Sequence, residues 1–214
     1  MVKPRRALGL LLLASLAVLP LAAQQRPADK SEDPRQRCLG SNPKAPILIE
    51  VFSDYQCPAC RRYYLETIRP VIADYAVTGK ACVVYYEFPL NIHQHARQAA
   101  RFGQAAARLG GEKWIQVTDA LYYYQAQWAN DGQLEPVLSR ALSEKEMAQV
   151  KDWAGDSKLE ETINRDVALG RSRGVTGTPT TFITVNGKTE KLPTGIIQYP
   201  ILRRYLDNLL AQVQ

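Results

Sequence analysis

The stretch FSDYQCPACRRYY, residues 52–64, contains two cysteines three positions apart with a proline between them. The residues just before it, ILIEVF (47–52), form a compact apolar run typical of a buried strand. From Pro58 onward, apolar residues recur every three or four positions, which indicates a helix. Cys57 and Cys60 therefore lie where a strand gives way to a helix.

The elements beyond this junction predict an α/β fold. A second strand follows at 81–88, and residues 91–173 contain no convincing strand. That block divides into about four helical pieces at Gly110-Gly111, Asp131-Gly132 and Gly155. Two short strands around Asn-Gly within 180–192 predict a hairpin, and an amphipathic helix follows at 198–213. The order predicts one mixed sheet from β-α-β and β-β-α halves, with helices on both faces and the block 91–173 inserted between the halves.

The N-terminus predicts export. Basic residues precede an uncharged apolar run at 7–21, and Ala22 and Ala23 follow it, as in a secretory signal peptide over residues 1–23. The run has 15 residues, fewer than the roughly 20 that span a bilayer. An uncleaved signal anchor is the alternative. We expect residues 24–43 to be a polar linker, residues 44–212 to be the folded domain, and the protein to be periplasmic or extracellular.

The charge does not indicate a nucleic-acid partner. The formal net charge is +6, and removing Lys3, Arg5 and Arg6 with the signal leaves +3. The remaining cations are dispersed along the chain, whereas a nucleic-acid footprint clusters on one face. Nothing in the sequence requires more than a monomer.

The cysteine pair has three possible uses: a structural staple, half of a metal site, or a reactive dithiol. A disulfide stabilises more as the loop it closes grows, so linking Cys57 to Cys60 restricts the unfolded chain very little. A zinc site needs further ligands, which His93 and His95 or Cys38 and Cys82 would have to supply. No second Cys-x-x-Cys is present, and we expect neither metal nor cofactor.

The reactive dithiol agrees best with the local physics. Pro58 is favoured at the first position of a helix, which puts the Cys57 sulfur at the helix N-terminus. Unpaired amide groups and the helix dipole favour a thiolate there. Cys60, one turn inside the helix, is placed to close the ring and release a bound partner.

Several motifs together resemble the DsbA-like thiol–disulfide oxidoreductases, which have a thioredoxin fold. The motifs are FSDYQCPACRRY, YYEFPL followed by His93 or His95, KW at 113–114, and GVTGTPTTFI, and the resemblance covers about residues 44–212. It implies that Cys57 attacks, that Cys60 resolves, and that Thr178 and Pro179 form a cis-proline platform for the substrate. Pro58 and Ala59, between the cysteines, include no polar group that would help to hold the thiolate.

Three further residues have open interpretations. Glu50 is a candidate for the buried acid that such folds keep near the dithiol, or else a paired or exposed strand-end carboxylate. Cys38 and Cys82 are additional to the family pattern. We expect a structural disulfide between them, and free buried thiols or a redox role are the alternatives.

The resemblance implies an exported dithiol oxidase that passes the Cys57–Cys60 disulfide to reduced or unfolded exported polypeptides. A quinone-linked membrane protein would reoxidise it. A disulfide reductase or isomerase is the first alternative, and a non-catalytic chaperone with the same fold is another.

Overall fold

The computed structural model describes Met1, residues 33–40 and residues 42–213. Apart from Met1, the predicted signal peptide lies outside these described residues, as do residues 24–32 of the predicted linker. Four strands form one mixed sheet in the order β2-β1-β3-β4. Their bounds are β1 Ile47–Ser53, β2 Ala81–Glu87, β3 Thr180–Val185 and β4 Lys188–Lys191.

The sheet has the predicted β-α-β and β-β-α topology. Strand β1 runs parallel to β2 and antiparallel to β3, and β3 runs antiparallel to β4. Every residue of β1 and β2 is buried, because helices cover both faces of the sheet there. Asn186 (φ 49°) and Gly187 (φ 74°) make the predicted hairpin turn between β3 and β4.

Helix α1 begins at Pro58 and runs without interruption to Ala76. Its segments are α-helical at Pro58–Tyr63 and Arg69–Val71 and π-helical at Tyr64–Ile68 and Ile72–Ala76. Pro70, a residue type that kinks helices, lies between the two π-helical segments. Because proline has no amide proton to donate, it cannot take part in the regular i→i−4 hydrogen-bond pattern of an α-helix.

The inserted block contains six helices and no strand between residues 91 and 173, all of which are described. Their bounds are α2 Ala96–Ala107, α3 Gly111–Tyr123, α4 Gln125–Trp128, α5 Glu135–Leu138, α6 Glu144–Ala154 and α7 Ser157–Ser172. All three predicted breaks are present. The prediction of about four pieces missed α4 and α5, which are four residues long and too short to show a helical period.

Helix α8, Tyr199–Ala211, closes the fold against α1. The Thr67 hydroxyl donates to the Ile197 carbonyl at 2.7 Å, and the Tyr75 hydroxyl donates to Asp207 at 2.6 Å. The amphipathic pattern of 198–213 predicts an apolar side that includes Ile201, but 54% of the Ile201 surface is exposed. Among the described residues, no helix is both long and apolar enough to cross a membrane.

The domain begins earlier than the predicted boundary at residue 44. Residues Pro34–Arg37 form a short 3-10 helix, and the Leu39 amide donates to the Val83 carbonyl at the edge of β2 (2.7 Å). Arg37 forms an ion pair with the buried Asp166 of α7. The sequence predicted a linker here, but these contacts hold residues 33–40 to the folded domain.

The two faces of the sheet pack against different helices. On one face, Ser53 hydrogen-bonds to a side chain of α3, and the Tyr85 ring packs against rings of α1 and α3. On the other face, the Phe52 ring stacks on Tyr86 (4.7 Å between centroids) and lies against Gly170 of α7. Successive strand residues point to opposite faces. Odd-numbered and even-numbered residues of β1 therefore lie on different faces of the sheet, and only one of these faces is the one on which Ser53 lies.

Candidate active site

Cys57 lies at the N-terminal end of α1, as the sequence predicted. Strand β1 ends at Ser53, and the Asp54 carboxylate accepts the Gln56 amide at 2.7 Å, which shapes the loop that follows. Cys57 is the N-cap residue of α1, and Pro58 occupies the first turn. Pro58 is exposed, whereas Cys57 is only 7% exposed.

The surroundings of Cys57 favour its thiolate. A hydrogen bond from the Cys60 thiol, assisted by the amides of Ala59 and Cys60 and by the Thr178 side chain, lowers the pKa of Cys57 to about 6 against the opposing effect of burial. The amide contribution is the one expected at a helix N-terminus. About 90% of the Cys57 side chain would be ionised at pH 7 with a pKa of this size.

Cys60 is in the opposite situation. It is fully buried, and burial raises its pKa well above the ordinary value, with further contributions from the hydrogen bond and the negative charge of Cys57. The pair thus divides into an ionised sulfur near the surface and a protonated sulfur beneath it. This division suits one attacking and one resolving cysteine.

The Thr178-Pro179 loop faces the dithiol, and its peptide bond is cis, as expected. The Cys57 sulfur lies 3.7 Å from the Thr178 carbonyl oxygen. The Thr180 hydroxyl donates to the Gly177 carbonyl at 2.7 Å, which holds the loop at the start of β3. Thr178 therefore lies directly beside the sulfur that a substrate would approach.

Glu50 does not lie near the dithiol. Arg173 donates to both of its carboxylate oxygens at 2.8 and 2.9 Å, and the Tyr86 hydroxyl donates at 3.2 Å. Ser53, three positions later, points to the other face of β1 and faces Cys60. Glu50 is therefore a buried carboxylate paired with Arg173, on the face of β1 opposite Ser53.

Hydroxyl groups occupy the space behind Cys60, and the sequence analysis missed them. The Ser53 hydroxyl is 2.9 Å from the Tyr122 hydroxyl, which is 2.5 Å from that of Tyr85. Tyr122 is fully buried and Tyr123 is 64% exposed. A polar Ser53 at the end of an apolar strand was the available signal.

The two histidines organise loops. His93 Nδ1 lies 2.7 Å from the buried Asp54 carboxylate. The His95 amide donates to the Gln56 side chain at 2.7 Å, and His95 is the N-cap residue of α2. Both contacts tie the loop after β2 to residues 54–56, just before Cys57.

Cys38 and Cys82 lie close together at the edge of β2. Burial raises the pKa of Cys82, and the neighbouring Cys38 thiol raises it further. Both are free thiols in this structure. Among the described residues, no three His, Cys, Asp or Glu side chains are grouped as they would be around a metal ion.

Comparisons with known proteins agree with this geometry. A family profile described as "Thioredoxin" matches residues 32–195. The chain is 23% identical over 155 residues to a protein named "Probable disulfide bond formation protein D" of Bacillus cereus, covering 71% of each chain.

Two crystal structures show the same fold. Wolbachia pipientis alpha-DsbA1 matches with a TM-score of 0.70 at 24% identity, covering 82% of this chain and 91% of that one. Pseudomonas aeruginosa DsbA2 matches with a TM-score of 0.62 at 26% identity, covering 79% and 92%.

Proposed function

This chain belongs to the thioredoxin family, with the DsbA-like form of the fold, and we propose on that basis that it is an exported dithiol oxidase. Thiol–disulfide oxidoreductase is the enzyme class of the relatives. The observation that carries the oxidase assignment is the lowered pKa of Cys57, about 6. Stabilising its thiolate stabilises the reduced form of the pair, which makes the disulfide form a better oxidant.

The reaction begins with the Cys57–Cys60 disulfide and a substrate dithiol. A substrate thiolate attacks the Cys57 sulfur, the bond to Cys60 breaks, and its electron pair leaves on Cys60. The second substrate thiolate then attacks its neighbour in the mixed disulfide, which releases Cys57 as a thiolate. The substrate loses two electrons and gains a disulfide, and the enzyme pair is reduced to the same extent.

Thr178 and Pro179 serve in this proposal as the platform for the substrate backbone. Their support is their position beside the Cys57 sulfur. Reduced exported polypeptides are the substrates, and a quinone-linked membrane protein restores the disulfide. Export rests on the basic and apolar pattern of residues 1–23.

The redox equilibrium of the purified protein with glutathione tests the direction of electron flow. The Cys57 pKa of about 6 lies between roughly 7 for thioredoxin and roughly 3.5 for DsbA. We therefore expect a potential between roughly −270 and −120 mV, above that of thioredoxin. Quenching with an alkylating reagent and mass spectrometry of the peptide containing Cys57 measures it.

Variants separate catalysis from simple polypeptide binding. Cys57→Ser abolishes oxidation of a reduced, unfolded ribonuclease. Cys60→Ala, first converted by glutathione disulfide to its Cys57–glutathione mixed disulfide, releases glutathione to a ribonuclease thiol and accumulates the Cys57–ribonuclease mixed disulfide. Cys38→Ser is the matched control, because it removes a thiol outside the dithiol site, and it should retain activity. A potential at or below that of thioredoxin would identify a reductant, and activity surviving in Cys57→Ser would exclude the dithiol mechanism.

A further inference from the structure

A row of buried hydroxyl groups leads away from Cys60. The Ser53 side chain lies on the Cys60 side of β1, and its hydroxyl lowers the pKa of Cys60 against the effect of burial. Beyond it are the hydroxyls of Tyr122 and Tyr85, with O···O distances of 2.9 and 2.5 Å. The four side chains come from β1, α1, α3 and β2, and each is at most 5% exposed. The hydroxyl groups of Ser53, Tyr122 and Tyr85 form a connected row, which we call the hydroxyl chain.

We propose that the hydroxyl chain conducts the proton that Cys60 must gain or lose during thiol–disulfide exchange. The proposal rests on the proposed function, since Cys60 changes charge only if the Cys57–Cys60 pair exchanges. It assigns Ser53, which faces the reacting sulfur, a catalytic role and makes Tyr122 and Tyr85 positioning residues that act through it.

The proton balance follows from the first step of the reaction. When the bond between the sulfurs breaks, Cys60 receives the electron pair as a thiolate in a site closed to solvent. Ser53 donates its proton to Cys60 and takes one from Tyr122, which takes one from Tyr85. Tyr85 is reprotonated by solvent, so one proton enters and one Cys60 thiol forms. The reverse sequence removes the proton when Cys60 attacks a mixed disulfide.

The two carboxylates of β1 and the loop after it, Glu50 and Asp54, are held in other contacts. Glu50 is on the other face of β1, where Arg173 holds it. The Asp54 carboxylate is occupied by His93 and by the Gln56 and Leu90 amides. Val51, which lies on the same face of β1 as Ser53, is apolar.

The last residue of the hydroxyl chain borders a cavity. Tyr85 is one of the residues lining a cavity of about 290 Å³, together with the polar side chains of Arg37 and Gln104. Its ring packs on Trp114, another lining residue, at 5.1 Å. A polar cavity of this size has room for water, which can supply the proton.

Several titratable groups face Cys60 and its hydroxyl chain. Cys57 lies on the same helix as Cys60, Tyr85 comes from β2 and Tyr122 from α3. Burial raises the pKa values of both tyrosines well above the ordinary value, so they stay neutral and can donate. Tyr55 packs beside Tyr122, and Glu87, at the end of β2, acts on Tyr55.

The test is single-turnover reduction of the oxidised protein by dithiothreitol, in water and in deuterium oxide. Ser53→Ala and Tyr122→Phe should slow the reaction about tenfold, the effect of losing one hydrogen bond to a charged group. Tyr85→Phe should slow it less, because the hydroxyl it removes bonds to Tyr122 and not to Ser53. Wild type should react more slowly in deuterium oxide, and Ser53→Ala should lose that isotope effect.

Tyr64→Phe is the matched control. The Tyr64 ring stacks on Tyr122 at 4.8 Å, but its hydroxyl donates to Asp119 instead of joining the hydroxyl chain. It should react at the wild-type rate with the wild-type isotope effect. Thermal unfolding of each variant checks that it is folded, and if Tyr122→Phe does not fold, Ser53→Ala and Tyr85→Phe decide.

The possible failures are distinguishable. If the oxidised wild-type protein does not react with dithiothreitol, the proposed function fails. If wild type and Tyr64→Phe react alike and Ser53→Ala matches them in rate and isotope effect, only the hydroxyl chain is overturned.

Discussion

At the scale of single residues, the thiolate of Cys57 links chemistry to stability. In the reduced folded protein its pKa is about 6, whereas a cysteine in an unfolded chain has a pKa of roughly 8.5. Between these values the unfolded chain binds more protons than the folded one. The contribution of Cys57 to stability is therefore present above about pH 8.5 and is lost as the pH falls through 6.

This linkage predicts a pH dependence that one substitution removes. Relative to Cys57→Ser, the reduced wild-type protein should gain roughly 3 kcal/mol in the free energy of unfolding between pH 5.5 and pH 8.5. Urea unfolding of both proteins in the presence of a phosphine reductant measures the difference. Glu87, whose pKa is raised to about 8, titrates in both proteins and so cancels in the comparison. Parallel curves for the two proteins would contradict the lowered pKa.

Some residues of the site could be predicted from the sequence, and others could not, for physical reasons. Cys57, Pro58 and the Thr178-Pro179 pair have local signals, because helix capping and proline geometry involve adjacent residues. Tyr122 lies 69 positions from Ser53, and only the packing of α3 against the sheet brings them together. Strand alternation could have separated Glu50 from Ser53, since an odd spacing places two residues on opposite faces.

At the scale of elements, the approach of α7 to the sheet depends on a glycine. An ideal Cβ on Gly170 would lie 2.7 Å from the ring of Phe88 and 3.0 Å from that of Phe52. Both rings are buried and cannot easily move aside. The helix therefore packs on this aromatic face only with a residue that has no side chain.

Gly170→Ala should accordingly destabilise the protein by about 1–3 kcal/mol, in the range of overpacked cores. Gly111→Ala is the matched control, since Gly111 also lies in a helix, at its first position. The nearest neighbour of a Cβ added there is the Leu39 side chain, at 3.9 Å. That variant should be neutral or slightly stabilised, because alanine favours the helix. Thermal unfolding compares them, and equal midpoints would show that the contact at Gly170 relaxes freely.

Element types were easier to predict than element ends. The strand β1, the start of α1 and the hairpin all have strong local signals. The exposure of Ile201 could not be read from the period of α8, because the width of the apolar stripe that is covered depends on how α1 lies against it. The prolines at 34, 43 and 46 suggested a linker, but proline also suits the extended and 3-10 segments that pack at the sheet edge.

At the scale of the whole molecule, the segment 33–40 is held to the domain by contacts with residues far away in the sequence. Arg37 reaches Asp166 of α7, and Leu39 pairs with Val83 of β2. Cys38 lies between them, close to Cys82. A disulfide between these cysteines would join the segment covalently to the sheet edge, and in an oxidising compartment we expect it to form.

Closing this loop restricts the unfolded chain, so oxidation of Cys38 and Cys82 should raise the free energy of unfolding by about 4 kcal/mol. The Cys57→Ser/Cys60→Ser background isolates the effect, because oxidant can then link only the two remaining cysteines. Urea unfolding with and without reductant measures it, and mass spectrometry of proteolytic fragments identifies the linked peptides. Adding Cys38→Ser should abolish the difference. Unlinked peptides after oxidation would instead mean that both cysteines remain thiols and that noncovalent contacts, such as those of Arg37 and Leu39, hold the segment in place.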